Sequence, residues 1–162
     1  MKKIKRILFV CMGNTARSPA AEYLARHYAE KLKADLEFDS CGFFNAFSNI
    51  QPESRKYLEN KGIKHADFNP KIINYNLLER QDLILTMERT HSRDIIQNFK
   101  NIRNIENITF TLKEFNDEIN DIDIIDPYYT TNDTYREVLK IIDDNVVKAV
   151  KKIIKNNNIS NL

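Results

Sequence analysis

Cysteine is scarce in this sequence. Two cysteines among 162 residues, with no Cys-x-x-Cys pair and no histidine cluster, exclude a disulfide framework and a zinc site. An excess of charge of one sign is missing too: Lys and Arg total 25 against 23 Asp and Glu, a net +2. That falls far short of the field of a nucleic-acid-binding surface, yet it suits anionic substrates. Nothing approaches a membrane span of about 18–20 apolar residues. The opening Met-Lys-Lys-Ile-Lys-Arg is basic, but only a few apolar residues follow it, so it does not read as a signal peptide. No internal repeat is visible. The sequence calls for no metal ion, cofactor, nucleic acid or membrane. What remains, 42% hydrophobic and 30% charged residues, describes one globular domain over residues 1–162 with a soluble surface.

The stretch with most chemistry is Cys11-Met12-Gly13-Asn14-Thr15-Ala16-Arg17-Ser18-Pro19. The apolar run Ile7–Val10 before it reads as a buried strand, and Pro19-Ala-Ala-Glu-Tyr-Leu-Ala after it opens a helix. A thiol and a guanidinium thus bracket a tight strand-to-helix loop. Such a loop turns backbone N–H groups into one concavity that suits an anion. The helix N-terminus adds positive field, and Arg17 can bind two phosphate oxygens at once. The same field favours Cys11 as a thiolate nucleophile. Gly13 allows close backbone approach, Asn14 tolerates positive φ, Ser18 can cap the helix, and Pro19 fits its first turn. Cradle, cation and nucleophile together describe phosphoryl transfer through a cysteinyl-phosphate.

The remaining pattern predicts an α/β domain. Strands fall at residues 4–10, 36–40, 82–86 and, more weakly, 107–110. Helices fall at 18–33, 52–61, 90–99 and 134 to about 156. Residues 113–132 read as irregular, and the tail after about 156 as frayed. Ala21, Leu24, Ala25, Tyr28 and Leu32 share one helical face, and Leu139, Ile142, Val146, Ala149 and Ile153 share another. Strands alternating with helices imply a four-stranded parallel sheet flanked by helices on both faces. Ligands bind such sheets at the carboxyl ends of the strands, where Cys11 falls.

With these blocks in place, the chain resembles the low-molecular-weight protein tyrosine phosphatases. The resemblance rests on Val10-Cys11-x-Gly13-Asn14-x-x-Arg17-Ser18-Pro19-x-Ala21-Glu22, Asp39-Ser40-x-Gly42, Asp82-x-Ile84-Leu85-x-Met87 and Asp126-Pro127-Tyr128-Tyr129. It implies a cytoplasmic phosphatase of phosphotyrosine in proteins. Inorganic phosphate and similar oxyanions would compete for its cradle. Cys11 would attack phosphorus, and residues Met12 to Ala16 with Arg17 and Ser18 would bind the phosphoryl group. Asp126, stiffened by Pro127, would be general acid and then base. Asp121 and Asp123 lie nearby but lack the proline. The resemblance further implies that Ser18 donates to the Cys11 sulfur, that Ser40 joins Asn14 in supporting the loop, and that Tyr128 and Tyr129 wall the cleft. It implies an aromatic from the loop facing them, with Phe43, Phe44 and Phe47 all eligible.

The chain departs from the family in three places. The histidine many relatives add to the loop support aligns near Asp67, with His65 close by. Ala16 stands where many relatives carry a second cysteine. Thr15 stands where phosphotyrosine-specific relatives carry a branched aliphatic residue and some phosphoarginine-specific ones carry Thr, so the resemblance leaves phosphoarginine open. His27, His65 and His91 read as residues without a role in the site. Arsenate reduction, which uses a similar loop, needs further cysteines for a disulfide relay; only Cys41 is available. Since Ser40 is expected to face the loop, alternation turns Cys41 away from it. A binding module without turnover finds no support, because Cys11, Arg17 and Asp126 are all present.

Overall fold

The computed structural model describes residues 2–160. β1 (Arg6–Cys11) lies between β2 (Glu37–Gly42) and β3 (Leu83–Thr86), and β4 (Thr109–Thr111) completes a parallel sheet of order β2-β1-β3-β4. The register sets Val10 beside Cys41 and Thr86, and Cys11 beside Gly42. Alternation along β1 feeds two cores. Ile7, Phe9 and Cys11 pack with α1 (Arg17–Lys31) and α7 (Asn132–Ser160), whereas Leu8 and Val10 pack with Cys41, Leu77, Ile84 and Ile95 on the other face. Cover on both faces is why β1 reads as a continuous apolar run. The chain leaves β1 first toward β2 and later toward β3, so the strand order reverses at β1. A crevice therefore opens above its C-terminal end, at Cys11.

α2 (Pro52–Asn60) joins α1 and α7 on the first face; α3 (Tyr75–Glu79), α4 (Arg89–Asn98) and α5 (Ile105–Ile108) join the second core. The expected apolar stripe of the last helix is buried at every position named for it. On α1 Tyr28 is half-buried and Leu32 is 45% exposed. The helix has already ended there: Lys33 takes φ 53° and Ala34 N–H returns to Ala29 O at 2.9 Å, a left-handed C-terminal stop.

Three expectations are corrected. The fourth strand begins at Thr109, because Ile105–Ile108 form a helical turn whose Ile105 carbonyl takes the Thr109 hydroxyl at 2.7 Å. The segment expected to be irregular contains α6 (Leu112–Phe115), closed by a reciprocal capping box between Thr111 and Glu114. The tail is not frayed at 156, since α7 runs to Ser160. Buried Asn157 accepts from Ile4 N–H at 2.8 Å and donates to Ile4 O at 2.6 Å. Residues 161–162 lie outside the described residues.

Candidate active site

Cys11 ends β1 and Arg17 opens α1, and the loop between them is held by its carbonyls. Met12 O accepts from Phe43 N–H at 2.7 Å, Thr15 O from Gln51 N–H at 2.8 Å, and Ala16 O from the Ser54 hydroxyl at 3.1 Å. Among the described residues, the N–H groups of Gly13, Asn14, Thr15 and Ala16 donate to no protein acceptor. Free amides are rare in protein interiors. A run of them on one tight loop suits an anion.

Asn14 fixes the curl. It is fully buried at φ 52°, a conformation Asn tolerates. Its Nδ2 donates to Ser18 Oγ at 2.9 Å and to Ser40 Oγ at 2.8 Å, and its Oδ1 accepts from Lys71 N–H at 3.0 Å. Ser40 donates to Glu22 Oε1 at 2.6 Å, and Glu22 pairs with Arg26 Nη2 at 2.5 Å. Burial pushes the Glu22 carboxyl up, against the pull of the Ser40 hydroxyl and Arg26. Asp67 reaches this chain at its far end, taking Tyr23 OH at 2.8 Å and lying 3.4 Å from Arg26. The place of the expected histidine is therefore filled indirectly. His65 sits in a loop 3.0 Å from Glu59.

Ser18 does not cap α1; Ala16 holds the N-cap position without a side-chain bond. The Ser18 hydroxyl instead lies 2.9 Å from Cys11 Sγ. Arg17 is 2% exposed. Its Nη1 donates to Glu88 Oε2 at 2.6 Å and to Ile124 O at 2.7 Å, and its Nη2 is 3.8 Å from Asp126 Oδ2. Asp126 is half-exposed and takes Tyr128 N–H at 3.0 Å. The two competing carboxylates are occupied elsewhere: Asp123 accepts from Arg89 N–H at 2.7 Å, and Asp121 pairs with Lys113 at 3.1 Å.

The Tyr128 ring is 5.6 Å from that of Phe47 and 4.2 Å from that of Tyr129. Of the three candidate phenylalanines, Phe47 is thus the one that faces Tyr128. Phe43 turns toward His91, and Phe44 is half-exposed. Tyr129 is corrected: at 93% exposure and φ 68° it backs Tyr128 from the solvent side and encloses nothing. His91 is completely buried behind Glu88, and the sequence reading names neither as part of the site. The available signal was their position just past the carboxyl end of a central strand.

Among the described residues, no set of three or more His, Cys, Asp or Glu is placed to hold a metal ion. Among these residues, too, no helix is long and apolar enough to cross a membrane. Residues 6–159 match the low molecular weight phosphotyrosine protein phosphatases. The chain belongs to that family. It is 32% identical over 140 residues to low molecular weight protein-tyrosine-phosphatase PtpB of Staphylococcus haemolyticus, covering 83% of this chain and 90% of that protein. It is 29% identical over 150 residues to a protein-arginine-phosphatase of Bacillus subtilis, covering 92% and 97%. The crystal structure of the T. tengcongensis family member superposes with a TM-score of 0.82 at 29% identity, covering 91% of this chain and 99% of that one.

Within this family frame, the two glycines of the site are places of close approach. A Cβ on Gly13 would stand 2.7 Å from Ala46 Cβ. One on Gly42 would meet the loop backbone itself, at 2.7 Å from Asn14 N and 2.8 Å from Met12 O. Gly42→Ala is expected to displace the loop and lower kcat/KM for an aryl phosphate by about 10²-fold, as a misplacement near 1 Å does. Steady-state rates alongside a melting curve check this. Wild-type rates in a folded variant would mean that the loop tolerates the shift.

Proposed function

We propose that this protein is a cysteine-dependent protein phosphatase that hydrolyses phosphotyrosine through a cysteinyl-phosphate. The observation that carries the reading is the row of free N–H groups from Gly13 to Ala16, closed by the buried Arg17 guanidinium. Phosphoryl oxygens would sit on those donors and on Arg17, which follow the charge as it spreads in the transition state. Cys11 Sγ attacks phosphorus, the P–O bond to the tyrosine breaks, and Asp126 gives the leaving oxygen its proton. Asp126 then takes a proton from water as that water attacks phosphorus. The S–P bond breaks, and the Ser18 hydroxyl stabilises the departing thiolate. Phe47 and Tyr128 would flank the substrate ring. A reactive thiol favours a reducing compartment, which supports the cytoplasm. Phosphorylated proteins are the partners, and inorganic phosphate competes with them.

A second reading is favoured by Thr15 and by the B. subtilis relative's name: phosphoarginine. Thr15 is 4% exposed, and its hydroxyl takes no partner among the described residues, so it remains available to a polar leaving group. Arsenate reduction has less support. Cys41 packs beside Leu8 and Val10, on the face of the sheet away from Cys11, and burial pushes its thiol far up.

The test is a turnover panel of phosphotyrosine, phosphoserine and phosphoarginine peptides, with arsenate plus a thiol reductant as a further arm. Failure on every phosphopeptide would overturn the reading. Thr15→Ile is expected to shift the kcat/KM ratio toward phosphotyrosine by about 10-fold or more, because it adds a methylene and removes a hydroxyl at the pocket. An unchanged ratio means that Thr15 does not read the leaving group.

A further inference from the structure

His91 is buried to 0% exposure one turn into α4. Its Nε2 lies 3.3 Å from Glu88 Oε2, the oxygen that takes Arg17 Nη1–H at 2.6 Å. Neither ring nitrogen makes a well-aligned hydrogen bond, and Nδ1 has no acceptor at all among the described residues. Glu88 occupies the N-cap position of α4, but its carboxylate does not cap the helix; it is turned to Arg17 instead. A buried imidazole without a partner costs stability, and a small ring rotation would supply one in Glu88.

We propose that His91 is a positioning residue: a neutral imidazole whose Nε2–H holds the Glu88 carboxylate against Arg17 and so sets the face that the guanidinium turns to the phosphoryl group. This rests on the phosphatase reading of Arg17. The neutral form follows from the geometry, since an imidazolium would carry a second N–H, at Nδ1, with nothing to accept it. Burial and the Arg17 charge both hold the ring's pKa down, against the pull of Glu88, Asp94 and Asp123, the charged groups around it. Protonation at acid pH sets a second cation competing with Arg17 for one carboxylate. Phe43, 5.7 Å away ring to ring, supplies packing and no charge.

The test uses aryl phosphate hydrolysis, with inorganic phosphate as competitive inhibitor. His91→Phe keeps the ring volume and removes the donor. It is expected to lower kcat/KM about 10-fold and weaken phosphate inhibition similarly, the scale of one charge-assisted hydrogen bond. It should also remove an acid-side component of the pH profile. His91→Gln, whose amide nitrogen falls near Nε2, should recover most of the loss; His91→Asn, whose amide falls near Nδ1, should not. In a Glu88→Gln background His91→Phe should add nothing. Nitrogen-15 spectra should show a neutral Nε2–H tautomer whose signal moves when phosphate is added. The proposal is overturned if His91→Phe keeps the wild-type profile, if its loss persists undiminished without Glu88, or if the Gln and Asn variants perform alike. That last comparison decides the matter should His91→Phe fail to fold. Wild type that cleaves no phosphoester would instead remove the phosphatase reading, and the tautomer with its response to phosphate would still judge His91.

Discussion

Cys11→Ser is expected to abolish turnover and to leave phosphate binding in place. The sulfur contributes little to the cradle: Gly13, Asn14, Thr15 and Ala16 keep their free amides, and Arg17 keeps its hold through Glu88 and Ile124. What the substitution removes is the nucleophile. A serine hydroxyl there has no base to deprotonate it, since its neighbour at 2.9 Å is another hydroxyl, that of Ser18. A thiol, by contrast, is intrinsically the stronger nucleophile and needs no dedicated base. With the free amides and Arg17 in place, affinity for phosphate should hold. Aryl phosphate hydrolysis and calorimetric titration with phosphate separate the two effects. Appreciable turnover in the variant would remove Cys11 from its role, and lost phosphate binding would mean that the amides are not the cradle.

Asp126→Asn should slow hydrolysis by about 10²–10⁴-fold, the span of a positioned general acid. The substitution is conservative in shape, because an asparagine Oδ1 can still take the Tyr128 N–H that Asp126 takes at 3.0 Å. The loop therefore keeps its turn and loses only the proton. The loss should shrink steeply for aryl phosphates whose leaving group departs as a stable anion, and a leaving-group series measures that slope. Asp123→Asn is the control. Asp123 anchors the Arg89 amide at the start of α4, so its loss should act on stability more than on rate. Damage to chemistry from Asp123→Asn alone would reassign the acid.

Most of the candidate site is legible in the sequence because it is local. Cys11 through Pro19 sit within one strand-to-helix turn, and Asp126-Pro127 is a stiff dipeptide. The buried face of α7 followed directly from its apolar period. Contacts between distant residues escaped. Glu88 and His91 are polar residues at a helix start, and their residue types alone do not distinguish them from a solvated face. Only the fold brings Glu88 onto Arg17, 71 positions earlier. The Asp143 carboxylate is similar. It reads as one acid of the pair Asp143-Asp144, yet it is buried, bonded to Tyr28 and Tyr57 and 3.1 Å from Lys61. The capping box over Thr111-x-x-Glu114 is local, but the acidic stretch around it reads as irregular. Three successive asparagines read as a fraying end, whereas the acceptor and donor that hold Asn157 belong to distant Ile4.

That last clasp has a bearing on how the chain comes off the ribosome. Cys11 is synthesised before Asn157, the side chain that holds Ile4 at the approach to its strand from 153 positions further along the chain. A nascent chain that stops before α7 already contains Cys11, Arg17 and Asp126. It lacks the helix that covers α1 and the side chain that ties down Ile4. Strand pairing at β1 also waits for β3, since a parallel neighbour arrives only after a crossover. The thiol is therefore made ahead of the helix that completes its surroundings, and a half-made copy carries the sulfur without the assembled pocket.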